Sequence, residues 1–404
     1  MAEQLRIIDL VRPILKVGCY AVSSLLVLPI LYLIEPFYRI RLTPLHTARI
    51  GHMAMNTQRF VARRMIDGPE PRTWRIIFGA RPCNIQLMTM WKQRLPIVES
   101  TILTAFYHYA REILGKTRFF QPLEGEMYHY AEINHDGPLL KFSGKEEEAG
   151  RKLLETMGMT NVLWFVCFYA RDAAYHRSRG YPETRGHRNS RIETYLKAAE
   201  HIAAQGGAAV RLGAAVDSPL PSDIHPRIID YGSRFRTDFG DIYLIAKCRF
   251  FLASAGGVIH VAPIFKTPVA AVNMFPHLPA PTGRHSLYIP KLMIHVATGK
   301  LVTFAESHRA KAFSWQPSDR VPWDEPATFA KHGFSIVDNT SEEILDLCLD
   351  MLDKQNNRAP AEEATELQAL YKQKFLSNGP YKLDDIPDIG PRFAIKYRDL
   401  ITAG

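Results

Sequence analysis

The sequence predicts an α/β protein of two Rossmann-like domains preceded by a hydrophobic helix. Three observations predict it. Short apolar runs alternate with amphipathic segments in two tandem series, the pattern of open parallel sheets with helices on both faces. A run without charge extends from Val17 to Ile34. The 404 residues suffice for two domains plus extensions.

In the first series, "RIRLTPLHTARIGHMAMNTQRFVARRM" reads as a strand, a turn at Arg49–Asn56 and a helix. "TWRIIFGA" is a second strand, and "NIQLMTMWKQRL" is a helix by its apolar spacing. "STILTAFYHYAREIL" continues the alternation, an irregular aromatic stretch covers 122–143, and "GKEEEAGRKLLETMGM" is an amphipathic helix. The second series starts with a strand over Asn161–Tyr169, then "SRIETYLKAAEHIAAQGG", a helix closed by glycine. Strands follow at "AAVRLG", "RIIDYG", "RFFLAS" and "TPVAAVN", with a helix at "TDFGDIYLIAKC" opened by Thr237 or Asp238. "FSIVDNTSEEILDLCLDML" adds a strand and a helix with a Thr/Ser–Glu capping box. The expected boundaries are an anchor at 1–38, an N-terminal domain at 39–158, a C-terminal domain at 159–376, and a tail at 377–404 that packs back on the N-terminal domain.

Composition narrows the functional classes. Hydrophobic residues make up 47% and charged residues 23%, ordinary for a protein with a sizeable core. Cys19, Cys83, Cys167, Cys248 and Cys348 have no metal-type spacing and read as reduced thiols. The net charge of +9 is not gathered into a basic arm or an aromatic-basic motif, so no nucleic-acid partner is expected. An anionic membrane surface and an anionic substrate account for the excess. Residues 17–34 approach the length that spans a bilayer. Arg6, Arg12 and Lys16 precede them, Arg39 and Arg41 follow, and no signal-peptidase pattern is present. The expectation is a membrane anchor, spanning or monotopic.

Residues suited to anion binding collect at predicted strand ends, where ligands of open α/β sheets sit. They are Arg49–His52, Arg171–Asp172, Arg211–Gly213 and Ser254–Gly257. The last group lies in "FFLASAGGVIHVAPIFKTPVAAVN", where small residues stand between a strand and a helix. Such residues allow close helix–sheet packing, or they bare helix N-terminal amides to an anion.

That segment resembles the donor site of heptosyltransferases and related glycosyltransferases of the GT-B fold. With "RIGHMAMN", "VCFYARDAAYH…RNSRIETYLKAAEHI", "IIDYGSRFRTDFGDIYLIAKCRFFLAS" and "LYIPKLM", the chain from about 40 to 400 resembles a bacterial family of surface-polysaccharide glycosyltransferases. The resemblance implies two domains facing across a cleft and transfer of a sugar from a nucleotide-sugar donor to a lipid-linked or cell-surface glycan. It places the protein at the cytoplasmic face of the bacterial inner membrane. It implies no cofactor beyond the donor as co-substrate, and the lack of an Asp-x-Asp motif fits a metal-independent reaction with no metal ligands. Ser254, Gly256 and Gly257 are then expected at the diphosphate, with Arg171, Arg211, His260 and Lys291 as further donor contacts. Arg171 can equally form a salt bridge, Arg211 can be structural, and His260 can be a packed histidine. His52 is the expected catalytic base, since neutral imidazole can take a hydroxyl proton near pH 7. It can also cap its turn. Arg49 and Asn56 are expected to bind the acceptor, and Glu126 and His129 are the next candidates for the base. Two alternatives remain: a nucleotide-sugar epimerase of the same fold, and a membrane-attached binding protein without activity.

Overall fold

The computed structural model describes residues 13–123, 130–180, 186–313, 326–379 and 381–403. Glu126 and His129 lie outside them. The chain divides into two compact units, 1–126 and 127–404.

The first unit is built on three parallel strands in the order β1-β2-β3, at Arg39–Pro44, Thr73–Gly79 and Ile97–Glu99. Helices follow each strand, at Ile50–Asp67, Ile85–Arg94 and Thr101–Leu114. Asn84 and Ser100 cap the second and third, accepting from the amides of Leu87 at 2.8 Å and Leu103 at 3.1 Å. The first helix begins at Ile50, so the turn expected over Arg49–Asn56 is almost wholly helical. The cause is visible in the sequence: Ile50, Met53, Ala54, Thr57 and Val61 already follow helical spacing. A 22-residue helix, Pro13–Ile34, is long and apolar enough to cross a membrane. One side of it packs on this unit's core, which includes Ile40, Phe78, Leu114, Phe119 and Phe120.

The second unit carries seven parallel strands in the order β12-β9-β8-β7-β4-β5-β6. They are β4 Phe165–Tyr169, β5 Ala208–Arg211, β6 Ile228–Asp230, β7 Phe251–Ser254, β8 Val269–Met274, β9 Leu287–Pro290 and β12 Asp388–Ile389. From β4 the chain first builds outward through β5 and β6, then returns to the other side of β4 with β7. The order therefore reverses between β4 and β7, the doubly wound arrangement. Strands β5, β7, β8 and β9 are buried at every residue, which explains their unbroken apolar runs. The predicted strand over "FSIV" forms as β11, Phe334–Val337, but pairs antiparallel with β10, Leu292–His295, outside the main sheet.

Two expected boundaries shift. The helix Gly144–Thr156, assigned above to the N-terminal domain, belongs to the second unit. At Gly150 it packs so closely on the Asp238–Lys247 helix that an added Cβ would meet the Tyr243 ring at 2.0 Å, and Glu147 pairs with Lys247 at 2.7 Å. The tail is built into the second unit as well. β12 extends the sheet beside β9, Arg392 pairs with Asp350 and Asp353, and Lys396 reaches Glu343 at 2.7 Å. The predicted capping box is present at Thr340–Glu343. None of the five cysteines forms a disulfide.

Candidate functional site

The switch point of the seven-stranded sheet lies between the carboxyl ends of β4 and β7, and the chain puts Arg171 and Ser254–Gly257 there. The Ser254 hydroxyl accepts the Arg171 amide at 2.8 Å, tying the two strand ends together. Ser254 is fully buried. Gly256 is small because a Cβ would stand 2.7 Å from the Tyr169 ring. Close packing therefore explains Ser254 and Gly256, whereas Gly257 is exposed and opens the following segment. That segment, Gly257–Phe265, is helical as expected, and the helix is of the 3-10 type. Pro263 within it cannot donate a backbone hydrogen bond, and valine and isoleucine at 258, 259 and 261 are weak helix formers. His260 is half-buried on it.

A cleft of about 600 Å³ opens beside these strand ends, lined in part by Asp172, His187, Asn189, Arg211, Lys291 and Asp338. Asn189 is its organising residue. Its side-chain oxygen accepts from the Arg171 guanidinium, and its carbonyl accepts from the Lys291 ammonium at 2.8 Å. Lys291 follows β9 directly and donates a second hydrogen bond to Asp338 at 2.6 Å. Burial lowers the Lys291 pKa, and Asp338 opposes that shift. Burial likewise raises the Asp172 carboxyl, while the amides of Asp217 and Ala174 pull it back. Arg188 reaches the carbonyl of Ala255 at 3.4 Å, adding a cation next to the glycine turn. Arg211 is buried and spent on structure, donating to the Ser218 carbonyl at 2.6 Å and pairing with Asp230 at 3.4 Å.

The structure thus brings Arg171, Lys291 and the Ser254–Gly257 turn to one edge of one sheet. Cations in a partly dewatered cleft bind phosphate oxygens more strongly than they would in open water. Asn189, Arg188 and Asp338 were not singled out from sequence. "RNS" carries only the family resemblance, and no spacing rule marks a residue that works through its carbonyl.

Arg49 and His52 sit in the first unit, after β1. Arg49 is exposed at the N-cap of the Ile50–Asp67 helix, with an extended backbone. His52 is exposed in the first turn, its ring 5.4 Å from that of His46. Asn56, one turn on, is buried with Thr57, Gln58 and Arg59. Helical spacing puts it on the same side as Arg49 and His52, but it is buried where they are exposed.

No protein-family model matches the chain, and no curated protein matches it. Among solved structures it is distantly similar to the glycosyl transferase family 9 protein from Veillonella parvula DSM 2008, at 12% identity over 63% of this chain and 86% of that one, with a TM-score of 0.41. It is similar to E. coli ADP-heptose LPS heptosyltransferase II at 14% identity, over 63% and 91%, TM-score 0.42. A third likeness is to E. coli heptosyltransferase WaaC with ADP-2-deoxy-2-fluoro heptose, at 12% identity over 58% and 89%, TM-score 0.31.

Proposed function

We propose that the protein is a glycosyltransferase that takes a sugar from a nucleotide-sugar donor and passes it to a lipid-linked or cell-surface glycan. The observation that carries this reading is the convergence of Arg171 and Lys291 on Asn189 at the switch point of the seven-stranded sheet. A doubly wound sheet binds nucleotides at that place. In the proposed reaction the acceptor oxygen bonds to the anomeric carbon as the bond to the diphosphate breaks. The negative charge that grows on the leaving diphosphate is met by Lys291, Arg171 and the amides that open the Gly257 segment, so no metal is required. His52 takes the proton lost by the acceptor hydroxyl. The apolar helix Pro13–Ile34 attaches the protein to the cytoplasmic face of the inner membrane, where lipid-linked acceptors lie.

The experiment is nucleoside diphosphate release from a panel of nucleotide sugars, with membrane lipid extract as acceptor source. One donor is expected to support release that depends on the extract and is lost in Arg171→Ala. Equal release by the wild type and Arg171→Ala would refute the site.

A further inference from the structure

The Pro13–Ile34 helix has two apolar faces with different destinations. The inner face carries Cys19, Ser23, Val27, Leu28, Leu31 and Ile34. Of these, Ser23 and Leu31 are buried, and the other four pack on core clusters containing Phe78, Leu114, Phe119 and Ile40. Polar contacts fasten the same helix nearer its start: Lys16 pairs with Glu112 at 2.9 Å, and the Tyr20 hydroxyl bonds to the same carboxylate. Toward its end, the Tyr32 ring meets Phe119 edge-on at 4.8 Å. The helix is therefore held to the body of the first unit from Lys16 to Ile34. A π-helical turn at Ser23–Val27, just before Pro29, shifts the phase by a residue and keeps Leu28 and Leu31 on the docked side.

The outer face is apolar and bare. Ile14, Val17, Leu25 and Leu33 are 68%, 69%, 79% and 75% exposed. Phe37 and Tyr38, just past the helix, are exposed too, as is Trp74 on β2, which pairs with β1. Aromatic residues of this kind favour the headgroup level of a bilayer. Charge favours the same partner. Residues 1–126 hold 17 Lys and Arg against 9 Asp and Glu, so +8 of the chain's +9 lies in the unit that bears this helix. A strongly basic unit that bears a bare apolar helix face suits an anionic lipid leaflet better than a second copy of itself, which would bring two +8 units together.

From these contacts we propose that the helix lies in the plane of one leaflet and does not cross the bilayer. Its inner face stays on the protein, its outer stripe enters the acyl boundary, and the basic residues of the same unit meet anionic headgroups. A helix fastened side-on along its length cannot span the hydrocarbon without carrying Glu112 and Lys16 into it. This inference rests on the membrane attachment proposed above, and the test separates the two.

Full-length protein with an N-terminal epitope is expressed in bacteria, and inside-out and right-side-out membrane vesicles are treated with protease. Purified protein is floated with phosphatidylcholine vesicles, with and without about one-third phosphatidylglycerol. In-plane attachment predicts that epitope and body are cleaved from the same side. It also predicts flotation that needs the anionic lipid, and a loss of partitioning of about tenfold or more in the Leu25→Glu, Leu33→Glu double variant at unchanged melting temperature. An epitope protected on the side opposite the body would overturn the in-plane arrangement and leave membrane attachment standing. Detergent-free protein that ignores both vesicle types and forms a dimer lost in the double variant would overturn both.

Discussion

Lys291 and Arg171 share Asn189, so each side chain is fixed before a ligand arrives and loses little freedom on binding. His52 stands differently, exposed beside His46 and outside any core. As a proton acceptor it makes a specific forecast. His52→Ala should lower kcat by about 10²- to 10⁴-fold with donor affinity unchanged; a fall in melting temperature with turnover preserved would assign it to the helix start instead. His277 is a buried histidine with another role, enclosed by the rings of Phe275, Phe304 and Phe313. Burial lowers its pKa to about 3. The unfolded chain takes up a proton near pH 6.5 while the folded one does not, so this residue makes stability fall as pH drops from 6.5 towards 3. His277→Leu should therefore gain about 2 kcal/mol relative to the wild type between pH 7.5 and pH 5, read by urea unfolding. Asp241 and Asp350, raised to about 6 by burial, act in the opposite sense, which is why the difference between the two proteins is the quantity to measure.

Among the elements, the N-terminal helix departs furthest from its sequence-based description. An apolar run with basic flanks reads as a free anchor, but Leu31, Val27 and Leu28 cover Phe119, Ile40 and Ile76. Full burial of such a side chain, which Leu31 achieves and Val27 and Leu28 approach in part, is worth about 1.5–3 kcal/mol. A chain starting at Arg39 should consequently unfold several degrees lower by scanning calorimetry, and an unchanged melting temperature would show that the helix does not belong to the core. Sequence periodicity located the strands from β4 to β8 because they are buried on both faces and therefore read as short apolar runs. The sequence also marks the cap at Thr340 and narrows the other to Thr237 or Asp238; the oxygens of Thr340 and Thr237 accept amides three residues on. It failed where tertiary packing decides. No local pattern shows that β11 leaves the main sheet, or that Gly150 seats the 144–156 helix on Tyr243. The same holds within the site. The strand-end rule picked out Arg171 and the glycine turn, and the family resemblance added Lys291. Asn189 and Asp338, which hold Arg171 and Lys291 in place, come from loops that only the fold brings to that edge.

At the scale of the whole molecule, charge and topology differ between the two units. The first carries +8, the apolar outer helix face and the exposed His52. The second is close to neutral and carries the seven-stranded sheet, whose order reverses beside Arg171. In a nearly neutral unit, attraction for a diphosphate must come from a few placed cations and not from net charge. The most direct test of that central claim is calorimetric titration of the full-length protein with the nucleoside diphosphates of adenine, guanine, uracil and cytosine. The account predicts that at least one binds, that Lys291→Met weakens it about 10- to 100-fold without a matching fall in melting temperature, and that Gly257→Asp abolishes it. Binding of none of the four, or binding equally tight in both variants, would contradict it.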